Sequence, residues 1–439
     1  MINLTVTRLS WWTGIWASVN LLNAPLQTLQ QLHRKYGDVV SFSIRGRNWY
    51  SFNHPDAIRE ILLHKAKFFS RPPILKRARA IMGNGLVTCE EAFHREHRNS
   101  LNQAFLQSNF AQYGPKIESL TIRCVNSWKV GKRINLSLEI RRLMLRVIAL
   151  LLFDVDIEEE IDPETENVIL TDGAFAVSCL RPFRSSFLRP SRFKSATSRF
   201  LSAIDNLMKC RIARGCEGDD LFSHLFRANN RSSAENTAQL RQMRDDLSTL
   251  LLAGHHTTAH ALEWTFWLLD RHPEVQNQLD RFSTTASLDD HGYDTTSMIQ
   301  NVLNEAIRLY PPLWIMGRLV EEETSILNVQ LSHGTGVVLS PWVTHRDSRW
   351  FSEPDLFIPS RWSNTSLNGA EKAFFPFGDG PRKCIGDRLS MFESEIVLST
   401  IIKHCRLNLI ESESVQPDPG FTLKPFPDLW VVPELKYAC

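Results

Sequence analysis

The ten residues Phe377-Gly378-Asp379-Gly380-Pro381-Arg382-Lys383-Cys384-Ile385-Gly386 constrain this 439-residue chain more than any other stretch. They set one cysteine in a tight glycine turn, with an arginine two residues before it and a glycine two after. An apolar, helix-like stretch follows, carrying Leu389, Met391, Phe392, Ile396 and Val397. Such a turn presents a single thiolate on a rigid loop, with backbone N–H groups free to point at the sulfur and a cation close by. One thiolate cannot close a structural zinc site, which takes four protein ligands. It can serve as the proximal ligand of haem iron, where thiolate electron donation favours O–O cleavage. A buried core cysteine after a Gly/Pro turn is the plainer alternative, but it leaves the company of these particular residues unexplained.

The run resembles the haem-thiolate loop of the cytochrome P450 superfamily, Phe-x-x-Gly-x-Arg-x-Cys-x-Gly, with every fixed position present. The resemblance extends from about Pro25 to Val432 and implies a mainly α fold, a helical prism with a small β-rich region. It implies haem b between a long central helix and the loop, with Cys384 as the axial ligand of the iron and Phe377, Gly378 and Gly386 shaping the cradle. Length alone suggests about three domains, but motifs spread along the whole chain imply one unit over 1–439, with 1–24 as an N-terminal extension.

Composition adds exclusions. A net charge of +2 gives no overall sign of a nucleic-acid binder. Eight scattered cysteines without a CxxC pair fit reduced thiols in a cytoplasm better than a disulfide framework. The aromatic-rich stretch from Trp11 to Leu22 is broken by polar residues and too short to span a bilayer. It lacks the features of a signal peptide. We expect a strand-and-turn segment packed on the body, with a peripheral membrane contact as the alternative. Without an anchor the chain is similar to the soluble bacterial members of the superfamily, and a cytoplasmic monomer is the expectation.

Along the chain, Val39–Ile44 and Trp49–Phe52 flank Arg45-Gly46-Arg47 and predict a β-hairpin. Pro55 to Phe69 predicts a short helix. Gln239 to Asp270 lacks proline and repeats apolar or small residues at helical period, predicting one long, mostly buried helix. A second helix over Ser297 to Leu309 stops at Pro311-Pro312. Gly336–Ser340 and Leu429–Val432 predict strands.

Within the long helix lies Ala253-Gly254-His255-His256-Thr257-Thr258. Glycine costs a helix about 1 kcal/mol against alanine, and threonine hydroxyls bond the preceding turn and bend it. We therefore expect a helix opened here for a reason. The hexapeptide resembles the superfamily's Ala-Gly-x-Asp/Glu-Thr-Thr oxygen-binding groove, so Ala253 and Gly254 would face the cofactor. By the same match Thr257 would hydrogen-bond activated dioxygen and steer protons to it. His256 stands where the family has an acid; histidine relays protons near neutral pH, and the usual carboxylate relay is absent.

Glu305 and Arg308 share a helix face, a pair that alone is worth a few tenths of a kcal/mol. With Arg361 in Phe357-Ile358-Pro359-Ser360-Arg361-Trp362 they resemble the family's Glu-Arg-Arg triad, which would pin the segment before the haem loop. The haem propionates need cationic partners; the resemblance points to Arg382, Arg318, Arg98 and His94. Distal pocket positions fall on Leu313, Trp314, Ile315, Met316, Phe421 and Leu423, bulky and apolar. The arginine-rich segment from Arg181 to Lys194 suggests an entry for a hydrophobic substrate that bears a carboxylate or is carried by another molecule, with Arg184 and Arg189 as its contacts; solvated charge on a mobile lid is the alternative.

No flavin or iron–sulfur motif is present. Electrons, ultimately from NAD(P)H, must come from a separate ferredoxin or flavodoxin and its reductase. Arg95, Lys383, Arg388, Lys403 and Arg406 are candidates for the docking face. The function implied is a monooxygenase acting with O2 on a hydrophobic substrate, such as a fatty acid or terpenoid-like acid. A peroxygenase or a non-oxygenating member (isomerase or dehydratase) is the enzymatic alternative, and a non-catalytic haem sensor the alternative of another class.

Overall fold

Helix dominates because the chain supplies long proline-free stretches with wide apolar faces, and the longest of them organises the rest. A computed structural model describes residues 3–44, 46–102, 104–106, 111–155, 163–173, 175, 177, 179, 190–215, 218, 220–229, 237–284, 295–363 and 370–436. The long helix runs unbroken from Thr237 to Arg271, 35 residues. It is buried on nearly every side from Asp245 to Leu269. Its main neighbours are the helices Leu136–Phe153 and Thr295–Leu309. Gly254 permits the first of these contacts: a Cβ there would come within 2.9 Å of Ile148 Cδ1. Trp264, fully buried, stacks on Tyr310 with ring centroids 3.9 Å apart and donates its indole N–H to the Leu423 carbonyl. Burying a ring of this size is worth several kcal/mol, since aromatic-to-alanine changes in cores cost about 3–5 kcal/mol.

The predicted hairpin forms, Val39–Ile44 antiparallel to Arg47–Phe52 with Val39 opposite Phe52. It belongs to a six-stranded mixed sheet whose order is Val6–Arg8, Val39–Ile44, Arg47–Phe52, Gly336–Leu339, Met316–Val320, Phe69–Ser70. A second sheet places Cys405–Ile410, Trp430–Leu435 and Ile134–Asn135 side by side at the chain's end. Pro55 to Phe69 divides into a helix Pro55–Arg59, a wide turn Glu60–His64 and a tight turn Ala66–Phe68. The six described cysteines, Cys89, Cys124, Cys179, Cys210, Cys384 and Cys405, are all free thiols.

Two expectations are corrected here. Residues Trp11–Asn23 form a helix, α1, rather than a strand and turn. Ser10 caps it by accepting from the Thr13 N–H, and a cap satisfies one of the first-turn donors. Aromatic residues favour strands only where a neighbouring strand covers them, and none does. α1 instead lays Ala17 and Leu21 onto a core shared with Leu29 of the next helix, α2 (Pro25–Tyr36), and with Val40 and Phe42. The hexapeptide around Gly254 does not open the long helix either. The Thr257 hydroxyl donates to the Ala253 carbonyl at 2.6 Å without any interruption of the helix. The segment holding Arg184 and Arg189 lies outside the described residues; of the stretch reaching Lys194, Phe193 is buried and Lys194 exposed.

Candidate active site

Loop geometry explains the glycines around Cys384. Gly378 and Gly380 take positive φ of 72° and 70°, conformations open to glycine at little cost. At Gly380 a side chain would also collide with the Leu62 carbonyl. The Cys384 N–H donates to the Phe377 carbonyl at 2.9 Å and the Lys383 N–H to Gly380 at 3.0 Å, closing the loop on itself. Gly386 then caps the helix Asp387–His404, so the sulfur sits beside a helix N-terminus, whose partial positive charge favours an anion.

Cys384 is exposed to a cavity of about 610 Å³. Burial pushes its thiol up to about 11, against the pull of the Gly386 N–H, Arg98 and Lys383. Such a sulfur gives up its proton only opposite a strong cation, which is what a haem iron provides. The cavity wall carries Arg47, Arg71, Arg77, Arg98, Arg318, Arg382 and Lys383, and no carboxylate among its described lining residues. Like charges gathered in this way call for an anionic occupant. His94 records the same field: burial first, then Arg382, Arg71 and Arg98, push its imidazole down to about 3. The residues therefore fit haem, with the thiolate to iron and the cationic wall to the two propionates.

All four propionate candidates, Arg98, Arg382, Arg318 and His94, line the cavity, as do Phe377 and Gly378. Arg98 donates to the Lys383 carbonyl at 2.6 Å, tying the helix Glu91–Asn102 to the cysteine loop. Arg71, which follows the short strand Phe69–Ser70 and donates to the Leu86 carbonyl at 2.9 Å, joins this set without any motif to announce it.

Leu313, Ile315, Met316 and Phe421 face the cavity, together with Leu75, Leu86, Val87, Leu250 and Ala253. Trp314 and Leu423 do not. Trp314 is fully buried and donates to the Gly420 carbonyl at 3.0 Å, and Leu423 packs into the same core as α1 and α2. Trp314 enters the core, while Leu313 before it and Ile315 and Met316 after it reach the cavity. Gly254 faces Ile148 instead of the cofactor space, one residue round the helix from Ala253.

His256 is buried and held down at about 4, by burial first and then by Arg141 and Lys424. It is neutral at physiological pH, so it offers one ring nitrogen as donor and the other as acceptor. Its ring lies 4.0 Å from His255 and 6.1 Å from His260, both equally buried. The next threonine has an acid partner that the sequence did not advertise: Thr258 donates to Glu393 at 2.9 Å. Burial pushes Glu393 up to about 8, so it carries a proton at neutral pH on the helix that leaves the cysteine loop.

Glu305, Arg308 and Arg361 meet in one buried cluster. Glu305 accepts from Arg308 Nε at 2.9 Å and Nη2 at 2.8 Å, and from Arg361 Nε at 2.9 Å. The Ile358 N–H and the Trp362 indole, each at 2.9 Å, complete its shell. Burial alone would raise this carboxyl, but the hydrogen bonds and charges of Arg308 and Arg361 outweigh it and hold it below the usual range. Arg308 continues to the carbonyls of His345, Pro354 and Leu356. His345, buried and held neutral, bonds the Arg308 carbonyl through Nδ1 and accepts from the Phe375 N–H at 3.1 Å through Nε2. The chain of contacts thus ends two residues before Phe377, where the cysteine loop begins.

The family model described as Cytochrome P450 matches residues 6–432. Cyclooctatin synthase of Streptomyces melanosporofaciens is 31% identical over 431 residues, covering 93% of this chain and 91% of the relative. Cyclooctat-9-en-7-ol 5-monooxygenase of the same organism is 29% identical, covering 92% and 88%. Pentalenene oxygenase of Streptomyces avermitilis is 29% identical, covering 90% of each.

Proposed function

The chain belongs to the cytochrome P450 family, and from that premise we propose that it is a monooxygenase of apolar, terpenoid-like substrates fed by a separate electron-transfer protein. Bound haem, ligated by thiolate, supplies the reductive activation of O2: two electrons and two protons enter, one oxygen atom goes to the substrate and the other leaves as water. The protein's own residues do the rest. Cys384 offers the thiolate, and Arg71, Arg98, Arg318 and Arg382 take the propionates. Leu86, Val87, Leu250, Leu313, Ile315 and Phe421 form a dry wall that holds an apolar skeleton and keeps bulk water from the reacting bond. For the protons the candidates stand just behind the wall at Ala253: Thr257, whose hydroxyl donates to the Ala253 carbonyl, neutral His256, and Glu393 behind Thr258.

The observation that carries this reading is one cavity lined at once by the thiol of Cys384, by apolar side chains and by a group of arginines. The names of the relatives, which refer to cyclooctat-9-en-7-ol and pentalenene, favour a cyclic terpenoid over a fatty acid. Arg95 and Arg388 are exposed near the loop and form the docking face for an acidic ferredoxin or flavodoxin. Lys383 is paired with Asp387, and Lys403, also exposed, stands at the far end of the helix Asp387–His404. Arg406 is drawn off by Asp280 and Asn277.

The test supplies the haem-loaded enzyme with ferredoxin, its reductase, NADPH and isotopically heavy dioxygen, over a panel of cyclic terpenes and fatty acids. One heavy oxygen atom in a terpene-derived alcohol is the expected result. Turnover with peroxide alone would favour a peroxygenase, rearranged product without added oxygen a non-oxygenating enzyme, and no turnover a sensor.

A further inference from the structure

α1 is uncharged along its whole length and apolar on both sides, yet only one side is covered. Ala17 and Leu21 face the core, while Trp11, Trp12, Ile15, Trp16, Val19 and Leu22 face outward. Trp12 is 73% exposed and Trp11 69%. Among the described residues these six make up nearly half of all exposed large apolar side chains, and they form one stripe at helical spacing. Isolated exposed apolar residues need no explanation, but a contiguous patch does.

We propose that α1 lies flat on an anionic lipid surface. At 13 residues it is far too short to span a bilayer, but its outward Trp and aliphatic stripe can bed into the headgroup boundary. Tryptophan suits that boundary, because its ring seeks hydrocarbon while its N–H seeks water. Charge complements the surface. Residues 1–37 contain no Asp or Glu, and Arg8, Arg34 and Lys35 are exposed. Arg34 has a partly competing partner in Asp355, 3.8 Å away with both groups largely in solvent. α1 is also joined to the cavity: Ser18 donates to the Ser43 carbonyl at 2.9 Å, and Ile44, next along that strand, lines the cavity. The lipid contact is independent of the reaction proposed above.

The experiment sediments the intact haem-loaded protein with vesicles of phosphatidylcholine, with and without phosphatidylglycerol. Binding is expected to the anionic vesicles, weakened by salt, with tryptophan emission shifted to the blue and quenched by brominated lipid. Trp12→Ser/Trp16→Ser is expected to weaken binding about tenfold or more, and Arg34→Glu/Lys35→Glu to remove the preference for anionic lipid. The carbonyl absorption band of the haem checks that each variant is folded. Absence of wild-type binding overturns the proposal, as does a folded tryptophan variant that binds like wild type. Should that variant fail to fold, wild-type emission untouched by bromolipid decides against it. A wild-type dimer that becomes monomeric in the tryptophan variant, without lipid binding, would assign the face to a second copy of the chain.

Discussion

Replacing Glu305 with Ala removes the acceptor of five hydrogen bonds, from Arg308 Nε and Nη2, Arg361 Nε, the Ile358 N–H and the Trp362 indole. Arg308 is completely buried, and a buried charge that loses its partner typically costs about 3–5 kcal/mol. Two features adjust that figure in opposite directions. Arg308 keeps three carbonyl acceptors, at His345, Pro354 and Leu356, which lowers the penalty. The Ile358 and Trp362 donors are stranded, each worth about 1–3 kcal/mol if unsatisfied. We expect a net loss of about 4 kcal/mol, a large share of the roughly 5–15 kcal/mol that holds most domains together. The assay is guanidinium unfolding followed by far-ultraviolet circular dichroism and by haem absorption. Haem loss should precede loss of helix, because Arg308 and His345 hold the segment entering the cysteine loop. Glu305→Ala/Arg308→Ala should cost less than the two single changes summed, by about 2 kcal/mol, since the second removes the charge stranded by the first. The acid side has a definite sign. With its folded value below its unfolded one, Glu305 stabilises above about pH 4.3 and loses that contribution as pH falls through the folded value, so wild type and variant should converge in acid. A loss under about 1 kcal/mol, or strict additivity of the two changes, would refute the reasoning.

Three other outcomes are expected. Gly380→Ala, which forces a side chain against the Leu62 carbonyl at φ 70°, should lower haem content in the purified protein; normal haem loading would contradict the loop geometry. Glu393, pushed up to about 8 by burial, stabilises most at low pH and withdraws that contribution as pH rises through its folded value. Glu393→Gln should therefore flatten the fall in urea midpoint between about pH 4.5 and 8, and an unchanged slope there would remove Glu393 from the account. Trp314→Ala should cost about 3–5 kcal/mol of stability while leaving terpenoid-induced spectral shifts near wild type. Ile315→Ala should do the reverse, and matched effects from both would contradict the placement of Trp314 in the core and Ile315 at the cavity.

What the sequence disclosed follows physical lines. The cysteine loop was legible because glycine, arginine and cysteine at fixed spacing serve a geometry that few other sequences serve, and Gly380 against Leu62 shows why. The long helix and the hairpin were legible through periodicity. α1 was misread because tryptophan and isoleucine favour strands in the abstract, whereas a serine cap and two inward small or apolar residues sufficed for a helix. Trp314 was misread because a consecutive apolar run does not say which side chain faces the cavity and which the core. Arg71, His345 and Glu393 left no local signal. Each is defined by partners distant in sequence, Leu86 with His94, Phe375, and Thr258 respectively.

The most direct measurement is the absorption spectrum of the reduced, carbon monoxide-bound protein, compared between wild type and Cys384→Ser. Thiolate at position 384 predicts a Soret band displaced to long wavelength in wild type and its loss in the variant, with haem still present. An unchanged band in Cys384→Ser, or a purified wild type that takes up no haem, would contradict the assignment of Cys384 as the iron ligand.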